Sequence, residues 1–410
     1  MARNSETVAA AIEAVNTIIS EQNAALKALK DTLSQKAAGG GSVNPTATAK
    51  AVNFRDYDGT VLYSYTVDEA AALTELPPLP EHSGLICQGW NWSLDSIKAM
   101  GRAVEVGAMY ITDDGKTRIY IHLEDGRTSP MLGCCPNGTV TVDWGDGTEP
   151  DTLTGTSTST VQWTPTHEYG TPGDYVIKLS VDGSVEFAGS WLTNADSYLL
   201  RFSDGADGRN KVYQNAIKKV EIGDGVTSIG SYAFYNCCSL TSVTIPVAVT
   251  SIGGYAFQNC YSLSAITIPD GVTEFVNNEF QDCGSLSAIM IPDSVTSMYN
   301  YAFRNCKSLS SVTIPDSITL IGNGMLRDCY SLSTIAIPDG VISIGSTVFQ
   351  NCYGVRYYDF TRHTTVPTLS NTDAFTGIAA DCEIRVPAAL ADEWKAATNW
   401  TTYADYIVGV

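Results

Sequence analysis

Apolar side chains return in register every 23 residues over the stretch from about Lys219 to Gly354. Each unit reads S-L-x-x-[VI]-x-I-P, then a turn, then A-F-x-[ND]-C, as in Ser262-Leu263-Ser264-Ala265-Ile266-Thr267-Ile268-Pro269 and Tyr301-Ala302-Phe303-Arg304-Asn305-Cys306. The columns Val243, Ile266, Ile289, Val312, Ile335 and Ile245, Ile268, Ile291, Ile314, Ile337 alternate with smaller residues, the period expected of a short strand with one buried face. The intervening column Thr244, Thr267, Met290, Thr313, Ala336 is then expected to point outward. Downstream, Phe257 and Cys260 lie three apart and predict a helical turn with both inside, leaving Tyr255, Gln258 and Tyr261 on its other face. One unit cannot bury its apolar side alone, so a fixed period of this length predicts a stacked solenoid.

Elsewhere the pattern changes. Val8, Ile12, Val15, Ile19, Gln22, Leu26, Leu29 and Leu33 alternate by four and three, a coiled-coil seam over residues 1–37 in which the isoleucine-rich mix favours three strands and Gln22 fixes register. A lone amphipathic helix packed on a larger body is the competing reading. Gly39-Gly40-Gly41-Ser42 marks a flexible linker over residues 38–49. Residues 50–128 read as a small strand-rich module: Val52-Asn53-Phe54 and Val61-Leu62-Tyr63-Ser64-Tyr65 across the Asp58-Gly59 turn, a helix over 93–104, and a hairpin of 108–112 with 118–122 around Asp113-Asp114-Gly115. Residues 129–188 read as a β-sandwich, 189–360 as the solenoid, and 361–410 as a C-terminal cap. That cap has a final strand at Ile384-Arg385-Val386-Pro387, then a helix over 388–397 with Trp394 and Trp400. The fold class expected is multidomain and mainly β.

Three segments resemble known families. The repeat units resemble BspA-like leucine-rich repeats, common in bacterial surface proteins and in phage tail proteins; the resemblance spans about a third of the chain and implies binding. Gly84-Leu85-Ile86-Cys87-Gln88-Gly89-Trp90 is similar to the closing motif of the Listeria–Bacteroides repeat, which implies a small β-grasp-like module, although the chain departs from that pattern from Asn91 onward. Thr141-Val142-Asp143-Trp144-Gly145-Asp146-Gly147-Thr148, followed by His167-Glu168-Tyr169-Gly170-Thr171-Pro172-Gly173-Asp174-Tyr175, resembles the PKD type of immunoglobulin-like domain. Such domains act as spacers or weak carbohydrate binders and are rarely catalytic.

Charge narrows the partners. With 24 basic against 44 acidic residues the formal charge is −20, which argues against nucleic acid and anionic membrane surfaces. No apolar run of about 18 residues is present, so no membrane insertion is expected. Met1-Ala2-Arg3-Asn4-Ser5-Glu6 opens a polar stretch without a signal-peptide core. Of the eleven cysteines, Cys237, Cys260, Cys283, Cys306, Cys329 and Cys352 occupy equivalent inward positions and read as small buried thiols, not disulfides.

Candidate chemistry is sparse. Asp143, Asp146, Glu149 and Asp151 form the densest carboxylate cluster, but their spacing is not that of an EF-hand loop and turn-forming Asp-Gly chemistry accounts for them. His82, His122, His167 and His363 fall in four segments, so no acid–base pair or metal set can be drawn, and no lysine follows Gly39-Gly40-Gly41 as a phosphate loop requires. No enzyme activity, no cofactor and no metal are expected. The candidate receptor-binding residues are Tyr232, Tyr235, Tyr255, Gln258, Tyr261, Gln281, Tyr301, Arg304, Lys307, Arg327, Tyr330, Gln350 and Tyr353, which share the outer face of the turn segment and include the residue types favoured at interfaces.

An outward-facing architecture whose opening residues carry no export signal points to a phage tail fibre or tail-tip receptor-binding protein in the virion. It would be a homotrimer through its coiled coil, joined to a baseplate or tail protein by its N-terminus and binding a host surface glycan or protein. The alternative is a bacterial cell-surface adhesin with leucine-rich repeats. A polysaccharide-degrading enzyme is the third class, set aside for want of an acid–base constellation.

Overall fold

The computed structural model describes residues 51–124, 128–156, 161–187, 199–202 and 213–410. The proposed oligomerisation residues Val8, Ile12, Val15, Ile19, Gln22, Leu26, Leu29 and Leu33 and the 38–49 linker lie outside the described residues.

Strands β1 (Ala51–Arg55) and β2 (Val61–Thr66) form an antiparallel hairpin, and β3 (Leu85–Trp90) and β4 (Val104–Thr112) complete a sheet of order β2-β1-β4-β3 in which β1 and β4 run parallel. Helix α1 (Val67–Ala71) starts at a capping box between Thr66 and Glu69, and α2 (Leu94–Met100) starts at Ser93. Gly101, left-handed at φ 59°, ends α2, so the helix is shorter than the 93–104 expected. Val52, Phe54, Trp90, Ile97, Met100, Val104, Val106, Ala108 and Tyr110 form a core of their own.

The hairpin expected around Asp113-Asp114-Gly115 does not form. Strand β4 stays in the first sheet, whereas β5 (Thr117–Leu123) joins the next one. That sheet contains β6 (Pro130–Asp143), β7 (Asp151–Thr156), β8 (Gln162–Trp163), β9 (Gly173–Phe187) and β10 (Leu200–Phe202), with β5 antiparallel to β9. The sheet change therefore falls near residue 115, before the expected boundary at 128. The sheet also runs into the repeats: β11 (Ile217–Glu221) pairs with β5 on one edge and with Ser242–Thr244 on the other, and β12 (Val226–Ile229) pairs with β9. A single hydrophobic core consequently extends from Ile119 to Ile407.

The repeats wind into a solenoid of about eight coils. Both inward columns predicted from the sequence are buried. The segment expected as a helical turn is a string of turns instead. Asn236, Asn259, Asp282, Asn305, Asp328 and Asn351 adopt φ of 61° to 64°, and Tyr232, Tyr255, Asn278, Tyr301, Gly324 and Thr347 adopt φ of 55° to 63°. Two left-handed residues per coil cannot continue a right-handed helix, and Asn or Asp is the non-glycine residue that tolerates this conformation best. These side chains also link coils: Asn259 Nδ2 donates to Asn236 Oδ1 at 2.6 Å, Asn351 Nδ2 to Asp328 Oδ1 at 2.7 Å, and Asn305 to Asp282.

The cysteine column does more than fill space. The thiols of Cys260, Cys283, Cys306, Cys329 and Cys352 lie 3.1 to 3.2 Å from the carbonyls of Phe234, Phe257, Phe280, Phe303 and Leu326 in the preceding coil, each donating to one. Burial pushes their pKa values up, which keeps the S–H donor in place.

Past residue 360 the ladder continues. Thr368–Leu369 pairs with Ser343–Ile344, Glu383–Val386 with Tyr357–Asp359, and Ile407–Gly409 with Glu383–Val386, so Ile384-Arg385-Val386 is not the final strand. The helix expected over 388–397 is a 3-10 turn at Ala388–Leu390 followed by α3 (Ala391–Ala396). Trp394 and Trp400, with ring centroids 4.7 Å apart, pack on Phe360 and Phe375 and close the far end.

Candidate functional site

The solenoid presents two long surfaces, the strand face and the turn face. The column Thr244, Thr267, Met290 and Thr313, expected to point outward, is buried. It lies under the first module, whose β4 crosses it. Glu105, Gly107 and Met109 alternate with the module's own core residues along β4 and so face the solenoid. Gly107 is required there: a Cβ would stand 2.5 Å from Thr267 Oγ1 and 2.8 Å from Met290 Cβ. Of the outward column only Ala336, beyond the module, is not buried.

Backbone chemistry explains the contact. In the ladder, the N–H of one residue donates to the carbonyl 22 positions on, as Ile268 does to Met290 at 3.0 Å. The return bond comes from the N–H 24 positions on, as Val410 donates to Val386 at 3.0 Å, so the carbonyls of Ile268, Ile291 and Ile314 would need N–H groups from positions 292, 315 and 338, which are Pro292, Pro315 and Pro338 and have none. A buried carbonyl left unpaired is unfavourable by about 1–3 kcal/mol. The module supplies a donor for each: Asn91 Nδ2 to Ile268 O at 3.2 Å, Trp92 Nε1 to Ile291 O at 2.6 Å, and an Arg102 terminal nitrogen to Ile314 O. Where strand pairing lapses at residues 311–313, Glu105 takes over. Its N–H donates to Thr313 Oγ1 at 3.0 Å and its carboxylate accepts from Ser311 Oγ at 3.0 Å, while Arg55 and Asn53 hold that carboxylate from the module side. Arg102 also pairs with Asp316 at 3.1 Å, and desolvation lowers its pKa.

The thirteen candidate receptor-binding residues lie on the opposite, turn face, but not as one uniform surface. Tyr232 and Tyr255 are stacked 4.8 Å apart at an interplanar angle of 3°, with Tyr235 edge-on to Tyr232 at 5.5 Å. Tyr330 and Tyr353 stack at 5.7 Å. Arg304 sits 5.8 Å from the Tyr301 ring and Arg327 lies 3.3 Å from Asp328. Tyr235, Gln258, Gln281, Arg304, Arg327 and Gln350 are half-buried, their column tucked between coils, and Gln281 donates to Asp282 at 2.8 Å. Tyr261, Tyr330 and Tyr353 stand out at 50%, 39% and 57% exposure, with Lys307 exposed in the same column.

The carboxylate cluster does not converge. Asp143 accepts from Gly145 N at 2.9 Å, Asp146 from Thr148 N at 3.1 Å, and Asp151 from Trp144 Nε1 at 2.8 Å; Glu149 is exposed. His167 bonds Asp146 at 2.8 Å and stacks on Trp144 at 4.6 Å. A second His–Asp contact, His82 to Asp56 at 2.8 Å, is joined by the Tyr110 hydroxyl, whose pKa rises through burial and the Asp56 carboxylate. Among the described residues no group of three His, Cys, Asp or Glu side chains is placed to hold a metal. No helix of the described residues is long and apolar enough to cross a membrane. Reasoning from sequence missed Asn91, Trp92, Arg102 and Glu105 altogether.

Comparison with known proteins bears on the repeats. Residues 227–356 match the BspA type leucine rich repeat region in six copies. Among solved structures, a leucine rich repeat protein of T. pallidum is 34% identical over 34% of this chain and 65% of its own, with a TM-score of 0.33. A leucine rich cell surface protein from Faecalibacterium prausnitzii is 22% identical over 48% of this chain and 65% of its own, TM-score 0.31. A leucine-rich repeat protein from Bacteroides ovatus is 20% identical over 42% and 65%, TM-score 0.27. The chain thus spans about two thirds of the length of these solved chains. No curated protein matches it. Residues 227–356 are a BspA-type leucine-rich repeat region.

Proposed function

We propose that this chain is a non-catalytic recognition protein of the bacterial surface type, an adhesin whose solenoid binds a surface component through its turn face. The observation that carries the reading is the contrast in access. The first module covers the strand face of the coils from Thr244 to Thr313, while Tyr261, Tyr330 and Tyr353 project from the turn face. Tyrosine brings large contact area and a hydroxyl at low entropic loss, so such a column favours binding over catalysis. The test is adhesion of the full chain to panels of cell surfaces, matrix proteins and glycans beside a variant carrying Tyr261→Ala, Tyr330→Ala and Tyr353→Ala. Loss of about tenfold or more in affinity with an unchanged melting temperature is expected; undiminished adhesion would reject the turn face.

The heptads at residues 8–33 favour a second reading, a trimeric tail fibre with the solenoid presented to a host. Solution mass of the full chain and of a form lacking residues 1–42 separates the two. A trimer that becomes a monomer on truncation supports the fibre, and a monomer in both leaves the adhesin.

A further inference from the structure

The strand face changes character where the first module ends. Under the module its two outward rows are uncharged and, Met290 apart, small: Ser242, Ala265, Ala288, Ser311 and Thr244, Thr267, Met290, Thr313. On the following coils the same rows read Thr334, Tyr357, Glu383 and Ala336, Asp359, Arg385, all only half-buried. Small residues mark where another backbone lies close. Tyr357, Glu383, Asp359 and Arg385, large or charged, mark an open ledge continuous with that interface.

Arg385 is held ready on this ledge. Its guanidinium lies 3.9 Å from the Tyr357 ring centroid and its Nε donates to Glu383 Oε2 at 2.7 Å, fixing the plane of the fork. Among the described residues no acceptor engages its terminal nitrogens, and the side chain is 37% exposed. Arg356, next to Tyr357 in the chain, is exposed and has no carboxylate partner among the described residues. The nearby acids are already engaged: Glu383 by Arg385, Asp359 by the Thr361 N–H at 3.0 Å and hydroxyl at 2.6 Å, and Asp339 by Arg362 at 3.4 Å. A stacked, pre-oriented guanidinium is suited to a carboxylate, which it binds through two parallel hydrogen bonds.

We propose that this ledge docks an extended polypeptide segment of a partner protein carrying a single Asp or Glu between apolar residues. Continuity argues for polypeptide: the neighbouring stretch of the same face is already occupied by a strand, β4, with polar side chains reaching the coils. Charge argues for one carboxylate and not a run of them, since a molecule of net charge −20 repels a polyanion at long range. Val408, 37% exposed beside Arg385, offers an apolar contact to the flanking residues. This surface is separate from the turn face and does not depend on it.

The experiment uses the full chain and a library of synthetic peptides about ten residues long with a central Glu among apolar positions, each with its Gln counterpart. Affinity is read by fluorescence anisotropy and location by hydrogen–deuterium exchange. Glu peptides are expected to bind about tenfold or more tightly than their Gln forms, to protect residues 334–336, 357–359 and 383–386, and to lose that preference in Arg385→Lys, which keeps the charge but not the fork. Absence of binding, equal binding of Glu and Gln forms, an unaltered preference in Arg385→Lys, or protection confined to other segments would each overturn the proposal.

Discussion

The strand face and the turn face of the solenoid repeat with the same period and differ in what repetition leaves over. Along the turn face each coil satisfies itself and its neighbour, through left-handed Asn and Asp residues that bond from coil to coil and thiols that bond the preceding carbonyl. The side chains projecting from it are therefore free to vary. Along the strand face, the proline of every unit removes a ladder donor and leaves a carbonyl wanting one. For Ile268, Ile291 and Ile314 the donor comes from a module more than a hundred residues upstream. The difference teaches that a repeat's exposed face cannot be inferred from the repeat alone.

The largest test of this contrast is Trp92→Ala. Trp92 is buried and its indole N–H serves the Ile291 carbonyl, so truncation removes both packing and a donor. A loss of about 3–5 kcal/mol is expected in denaturant unfolding, and a loss below 1 would mean the module rests on the coils without stabilising them. Thr267→Trp comes next. Under β4 it has no room, and about 1–3 kcal/mol of destabilisation is expected from overpacking. Its counterpart on the turn face is Gly284→Tyr, where nothing lies within 4 Å of the added Cβ; a change within about 0.5 kcal/mol is expected by thermal melting.

Between these sits Glu279, which replaces the inward alanine of the repeat. It is fully buried, one carboxylate oxygen has no partner, and burial drives its pKa well above that of a free glutamate. A folded-state pKa above the unfolded one means the folded chain holds more protons, so stability is greatest below the unfolded pKa and falls as pH rises toward the folded one. Glu279→Ala should be the more stable protein, with a gap that widens upward from about pH 4.5 at no more than about 1.4 kcal/mol per pH unit. Parallel pH–stability curves for the two would remove Glu279 from the account.

Much of the solenoid was legible because its period multiplies every signal: one buried isoleucine says little, whereas two columns of five define a strand. The two hidden features left subtler marks. Asn or Asp before each cysteine marked a left-handed residue, but spacing of three between Phe257 and Cys260 fits a helix as well as a string of turns. The smallness of Ala265, Ala288 and Thr267 marked a close neighbour, yet the same residues suit a plain solvent face. Asn91, Trp92 and Arg102 carry no local pattern at all, since each is meaningful only against a carbonyl far away in sequence. Candidate binding residues were legible as a column, but which of them stand proud, Tyr261, Tyr330 and Tyr353, depends on how far each coil tucks its neighbour in.

The thiol ladder has a chemical consequence. Oxidation and alkylation of cysteine proceed through the thiolate, and thiols that are buried, protonated and already donating to a carbonyl offer an oxidant neither access nor charge. While the coils stay stacked, a column of thiols, one to a coil, can persist without cross-linking. Once a coil opens, its neighbours' sulfurs become nucleophiles within reach of one another, so the fraction of modified cysteine in a sample would record how often the chain had come apart.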